Sequence, residues 1–102
     1  MMKTRIEEQE GKIIATLEGE LDTAAALEVE QTLQPLYNGN DGRDIVIDCE
    51  KLNYIASSGL RIMLGILKGA KSTGGKVILR SVNEDIKNVF QLTGLINLFE
   101  FE

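Results

Sequence analysis

The chain has no histidine and no tryptophan, and its 102 residues include one cysteine, Cys49, and one proline, Pro35. Without histidine it lacks the side chain most used for acid and base work near neutral pH, which is also the commonest metal ligand. A single cysteine excludes an internal disulfide and a cysteine-based metal framework, and a reducing cytoplasm is the expected setting. No stretch approaches the roughly 18 apolar residues of a membrane span. The opening residues Met1 to Glu8 carry one basic pair with no apolar run behind it, so no secretory leader is expected. Positive charge is also scarce: 11 Lys and Arg against 16 Asp and Glu give a net charge of -5. Such a surface repels nucleic acid and anionic membranes, so neither is an expected partner. There is no Walker-type Gly-Lys-Ser/Thr loop, no Gly-x-Ser-x-Gly elbow and no cluster of metal-ligating residues. An enzyme, a cofactor and a metal are therefore all unexpected.

What is present suits one folded unit. Apolar residues make up 43% of the chain and charged residues 26%, an ordinary balance for a globular protein. The length fits a single domain over residues 1–102, near the lower end of the usual range. No repeat or low-complexity tract interrupts it.

Thr4 to Glu10 and Lys12 to Glu18 read as an antiparallel hairpin turning at Glu10-Gly11. Gly19 to Thr23 then breaks the pattern, and Asp22 or Thr23 caps a helix that begins at Ala24. Ala26, Val29, Leu33 and Leu36 form its buried stripe, and Pro35 ends or kinks it near Gln34. After the turn cluster Asn38 to Gly42, the near-continuous apolar run Asp44 to Cys49 reads as a central strand covered on both faces. A loop from Glu50 to Ala56 leads to a helix over Ser58 to Ser72, with Leu60, Met63, Leu64 and Leu67 inward. Lys76 to Arg80 is the next strand. Asn83 caps a helix running to Leu92, and Ile96 to Phe101 is a weak terminal strand. The order β-β-α-β-α-β-α-β predicts an α/β fold, a mixed sheet of about five strands, parallel apart from the first, with helices packed on it. Loops after the second, third and fourth strands share its carboxyl edge and hold Asp22, Ser57 and Ser81.

The densest signal is Tyr54-Ile55-Ala56-Ser57-Ser58-Gly59-Leu60-Arg61, which sets paired hydroxyls where a loop enters a helix. A helix N-terminus offers unpaired N–H groups and partial positive charge, so a phosphate there is favoured. For an arbitrary Ser-Ser-Gly, a plain capping serine is the simpler reading. Cys49 reads as a buried structural thiol, Ile62 and Ile66 as core, and Glu18, Glu20, Glu28 and Glu30 as a solvated face.

This run, preceded by a strand ending near Asp48 and by Gly19-Glu20-Leu21-Asp22 after the second strand, resembles the STAS domain of anti-sigma factor antagonists over essentially the whole chain. The resemblance implies that Ser57 is phosphorylated by a partner anti-sigma factor that is also an ATP-dependent serine kinase. It further implies that the unphosphorylated chain binds that partner and that a serine phosphatase resets it. Asp22 corresponds to the family's acidic residue beside the serine and shapes the site, Ser58 is the helix cap or a neighbour of the phosphate, and Gly59 permits close backbone approach. The free chain is expected to be monomeric. One departure stands out: the family commonly has Asp immediately before the serine, and here that position is Ala56. The principal alternative is a STAS docking subunit of another system, a lipid-transport complex or a stress-signalling scaffold. An acyl carrier protein, also small and acidic with a modifiable serine, is disfavoured by the two apolar strands.

Overall fold

The sheet runs in sequence order, β1-β2-β3-β4-β5, with β1 antiparallel to β2 and every later pair parallel. These elements are seen in a computed structural model that describes residues 2–102. The strands are β1 (Lys3–Gln9), β2 (Lys12–Leu21), β3 (Ile45–Ile55), β4 (Val77–Arg80) and β5 (Glu100–Phe101). Between them lie α1 (Thr23–Leu33), α2 (Ser57–Ser72) and α3 (Glu84–Leu92), with short 3-10 helices at Gln34–Asn38 and Leu95–Asn97. The expected α/β order is therefore the observed one.

Local chemistry accounts for the boundaries. Gln9 pairs with Lys12, leaving Glu10 and Gly11 as a two-residue turn in which both have positive φ, 53° and 79°. That geometry matches the twist of a hairpin. Asp22 caps α1, its Oδ1 accepting from the Ala25 amide at 2.8 Å. After Leu33 the chain tightens into the 3-10 helix, where Pro35 supplies a fixed φ and needs no hydrogen bond of its own. Asn83 caps α3 by accepting from the Ile86 amide at 2.8 Å, and its Nδ2 donates to the Leu52 carbonyl at 3.2 Å, tying the helix to β3.

Four boundaries differ from the sequence reading. β3 does not stop at Cys49 but continues to Ile55 through what reads as loop, and β2 continues past Gly19 to Leu21 beside it. The pairing shifts register between Thr16 and Glu18 and again between Gly19 and Glu20. Such bulges break the alternation that marks a strand in sequence. α2 begins at Ser57 rather than Ser58. The terminal strand shrinks to Glu100–Phe101, because the chain first makes a 3-10 turn after Gly94 to bring Phe99 inside. There Phe99 and Phe101 meet the Phe90 ring edge-on, with centroids 5.5 and 5.8 Å away.

All three helices pack on one face of the sheet, and their buried residues join Ile13, Ala15, Leu17, Ile45, Ile47, Val77 and Leu79 in one core. The alternating residues Ile14, Val46 and Ile78 form a separate small cluster on the other face, to which no helix contributes. The expectation of a central strand covered on both faces is thus half right. Val46 is buried by its neighbours in adjoining strands, not by a second helical layer.

Two glycines of α2 serve packing. A Cβ on Gly69 would lie 2.3 Å from the Tyr37 carbonyl oxygen, and one on Gly65 would lie 2.7 Å from the Tyr37 ring. The 3-10 helix therefore lies directly on α2. The Tyr37 hydroxyl donates to Glu30 Oε2 at 3.1 Å, so Glu30 is half-buried in a hydrogen bond rather than part of a purely solvated face. Burial, with the hydrogen bond and negative charge of Glu30, pushes the Tyr37 phenol up to about 12.

Candidate functional site

β2 and β3 end side by side. Leu21 pairs with Ile55, and the Ala56 amide donates to the Leu21 carbonyl at 2.9 Å. The next residue along one chain segment is Asp22, and along the other, after Ala56, is Ser57. Two motifs 35 positions apart in sequence thus meet at one corner of the sheet.

Ala56 is the residue that flanks α2, with φ -93° and ψ 172°, and its methyl group supplies no capping hydrogen bond. Its carbonyl accepts from the amides of Gly59 at 2.9 Å and Leu60 at 3.1 Å. Among the described residues nothing accepts from the Ser57 and Ser58 amides, the usual condition of first-turn donors. The first turn also holds no acidic side chain. It is an electropositive helix start whose outermost side chain, Ser57, is exposed.

The paired serines have different surroundings. Ser58 is half-buried, and its Oγ is shut off from solvent with no hydrogen-bond partner. Ser58 is therefore not the helix cap: it lies inside the helix, two residues past the flanking Ala56. Gly59 is buried, and a Cβ there would lie 2.7 Å from Leu21 Cγ and 2.8 Å from Ile55 Cγ1. The absence of that atom lets the first turn of α2 sit on the ends of β2 and β3.

Ser81 does not join them. β4 ends level with Asp48, where Arg80 pairs, whereas β2 and β3 run on to Leu21 and Ile55. The five residue steps along β2 from Thr16 to Leu21 place Ser81 on the order of 15 Å short of the corner. Its φ of 59° fits a tight turn, and its amide donates to the Glu102 carbonyl at 3.1 Å.

A groove of about 430 Å3 opens on the other side of Asp22, between α1 and the start of β1. Ala25 and Val29 line it together with the acidic Glu20, Asp22 and Glu28. Asp22 is among its walls and Ser57 is not, so the exposed serine stands outside the groove. Sequence reasoning missed this groove. It singled out the run that begins at Tyr54 but did not anticipate that Tyr54 is half exposed at the end of β3 and paired with Glu20, because the one reads as loop and the other as solvated surface.

Cys49 is 1% exposed, and its thiol is pushed up to about 12 by burial and by the negative charge of Asp48. A thiol so protonated is inert, as a structural residue should be. Ile62 and Ile66 are core. No group of three or more metal-ligating side chains occurs among the described residues, and none of their helices is long and apolar enough to cross a membrane.

Residues 3–102 match the STAS domain family. The chain belongs to that family. It is similar to the Bordetella bronchiseptica protein BtrV, named as a candidate anti-sigma factor antagonist, with 30% identity over 96% of this chain and 84% of that protein. The anti-sigma-B factor antagonist of Staphylococcus aureus is 35% identical over 78% of this STAS chain and 73% of its own length. The fold is shared with Bacillus SpoIIAA in its unphosphorylated form, with a TM-score of 0.79 and 24% identity over 98% of this chain and 88% of the other. The phosphorylated form of SpoIIAA gives a TM-score of 0.72 with 23% identity over 98% and 91% of the two chains.

Proposed function

We propose that this STAS chain is an anti-sigma factor antagonist, a non-enzymatic cytoplasmic switch that acts as a single domain. Unphosphorylated, it sequesters an anti-sigma factor; phosphorylated on Ser57, it lets go. The partner is an anti-sigma factor that is also a serine kinase, and a serine phosphatase returns the chain to its binding state. The observation that carries this reading is the corner itself, where an exposed serine on a donor-rich helix start follows the end of β3 and Asp22 follows the paired end of β2. The names of the two relatives support the partner class.

A phosphate on Ser57 adds about -1.5 to -2 charge. The helix start accommodates that charge, but a closely apposed protein surface has to desolvate or repel it. Ser57→Ala should bind the partner constitutively, Ser57→Asp should bind poorly, and both should melt close to the unmodified chain. Phosphopeptide mass spectrometry after incubation with the captured kinase and ATP tests the site. Phosphate on Ser58, or a Ser57→Asp chain that binds as tightly as Ser57→Ala, would overturn the assignment.

A further inference from the structure

Ser57 and Arg61 lie four residues apart in α2, and both are exposed. Positions i and i+4 are neighbours on a helix surface, with Cβ atoms about 5 to 6 Å apart. Arg61 is within reach of a group carried on Ser57 without any change of backbone. It has no ion-pair partner among the described residues, and α2 holds no other cation before Lys68. The anionic groups at this corner outside the helix are Glu20, near the end of β2 and paired with Tyr54, and Asp22, just after that end. The residue before the serine, where the family commonly has Asp, is the uncharged Ala56.

We propose that Arg61 holds the phosphoryl group of phosphorylated Ser57, closing a charge pair along the exposed face of the first two turns of α2. The inference rests on Ser57 as the modified residue. A guanidinium presents a planar fork of donors that matches two phosphate oxygens, while the free amides of the first turn face the same group from the helix end. The resulting phosphate is fixed against α2 rather than swinging in solvent. Its charge then stands in one place, on the surface that the partner must cover. The arrangement also counters Asp22: the field of one arginine offsets that of one carboxylate, and the first turn of α2 adds no acidic side chain of its own.

The test bypasses the kinase. Phosphoserine is incorporated at position 57 during synthesis, and the second phosphate ionisation is followed by phosphorus NMR across the pH range in Arg61, Arg61→Lys and Arg61→Gln chains. Phosphoserine ordinarily takes up its second proton near pH 6. With Arg61 present the midpoint should lie lower than in Arg61→Gln by about half a unit or more at low salt. Arg61→Lys should fall between, and added salt should narrow the gap. Chains with unmodified Ser57 should melt alike whether they carry Arg61 or Gln. Equal midpoints in the Arg61 and Arg61→Gln phosphoproteins, or a fall in melting temperature of the unmodified Arg61→Gln chain as large as in its phosphoprotein, would overturn the pairing. Mass spectrometry with the natural kinase reads the parent assignment separately. Phosphate on a residue other than Ser57 sinks that assignment whatever the NMR shows, and equal midpoints sink the Arg61 pairing even if the kinase does modify Ser57.

Discussion

Replacing Gly59 by Ala sets two effects of opposite sign against each other. In an unconstrained helix, Ala is favoured over Gly by about 1 kcal/mol, so propensity alone predicts a more stable protein. The added methyl, however, would stand 2.7 Å from Leu21 Cγ, 2.8 Å from Ile55 Cγ1 and 2.9 Å from Leu21 Cδ2. Leu21 is 0% and Ile55 4% exposed, so neither side chain can swing into solvent, and two of the three atoms lie near the root of the side chain. Forcing an extra carbon into such packing costs about 1 to 3 kcal/mol. The net expectation is a loss of up to about 2 kcal/mol, which lowers the melting temperature of a domain this size by up to roughly 15 °C. Because α2 relieves the overlap by lifting its first turn, Ser57 moves away from Asp22, and phosphorylation by the partner kinase should fall by more than the change in folded fraction explains. Thermal and urea melts give the first quantity, and initial rates of phosphate incorporation on fully folded protein give the second. A Gly59→Ala chain that melts at or above the parent temperature would refute the packing argument. Gly69→Ala is the stronger case: its methyl would meet the Tyr37 carbonyl oxygen at 2.3 Å and two further backbone atoms. It should therefore be the more damaging of the two, although propensity credits both equally.

Asp22→Asn keeps a good capping side chain, so its stability should stay within about 0.5 kcal/mol of the parent, whereas Asp22→Ala should lose about 1 kcal/mol with the Ala25 hydrogen bond. Both should weaken partner binding or phosphorylation of Ser57, and calorimetric titration of the captured partner separates a charge effect from a cap effect. Ser58→Ala removes a shielded hydroxyl that has no partner, so melts should show no loss of stability, and the chain should still accept phosphate on Ser57. Alkaline pH should destabilise the fold. The thiol of Cys49 and the phenol of Tyr37 are both held protonated up to about 12, above their ordinary values of 9.0 and 10.0. The unfolded chain therefore gives up these protons first, and stability that is complete below about pH 9 drains away as the pH climbs towards 12. Urea midpoints across that range should fall, and Cys49→Ala should flatten the slope; an unchanged slope would show that the thiol is not the group responsible.

The parts of this fold that were legible in sequence are those whose pattern is set by one neighbour at a time. Asp44 to Cys49 announces a strand because Ile45, Val46 and Ile47 are apolar in succession, and Asn83 announces a helix start because its cap is local. The continuation of β3 is different. Leu52 and Ile55 are buried while Asn53 and Tyr54 between them are exposed, a spacing that suits neither a strand nor a loop until the bulged partner β2 is in view. Ser81 stays away from the corner because β4 ends level with Asp48 while β2 and β3 run on, and topology assigns a loop to an edge without saying how far each strand runs. Helix propensity alone disfavours Gly65 and Gly69, and only the 3-10 helix packed on them gives them a purpose. The meeting of Asp22 with Ser57 was visible through strand order and the family resemblance together. The Ser58 cap was not realised because the flanking position is occupied by Ala56, a residue that offers no capping atom at all.

That missing cap bears on how a phosphate could act. α2 is anchored along its length by Leu60, Ile62, Met63, Ile66, Leu67 and Ala70, all buried, so a charge added at its first residue has no route into the core. An acidic cap at position 56 would already satisfy first-turn amides and partly cancel the helix field at the serine. With alanine there, both the amides and the field remain for a group on Ser57. The first turn of α2 holds no acidic side chain in the unphosphorylated chain, and a phosphate on Ser57 would be the first negative charge there. A partner that tolerates the first state meets about two added negative charges in the second, on a surface whose shape has not changed.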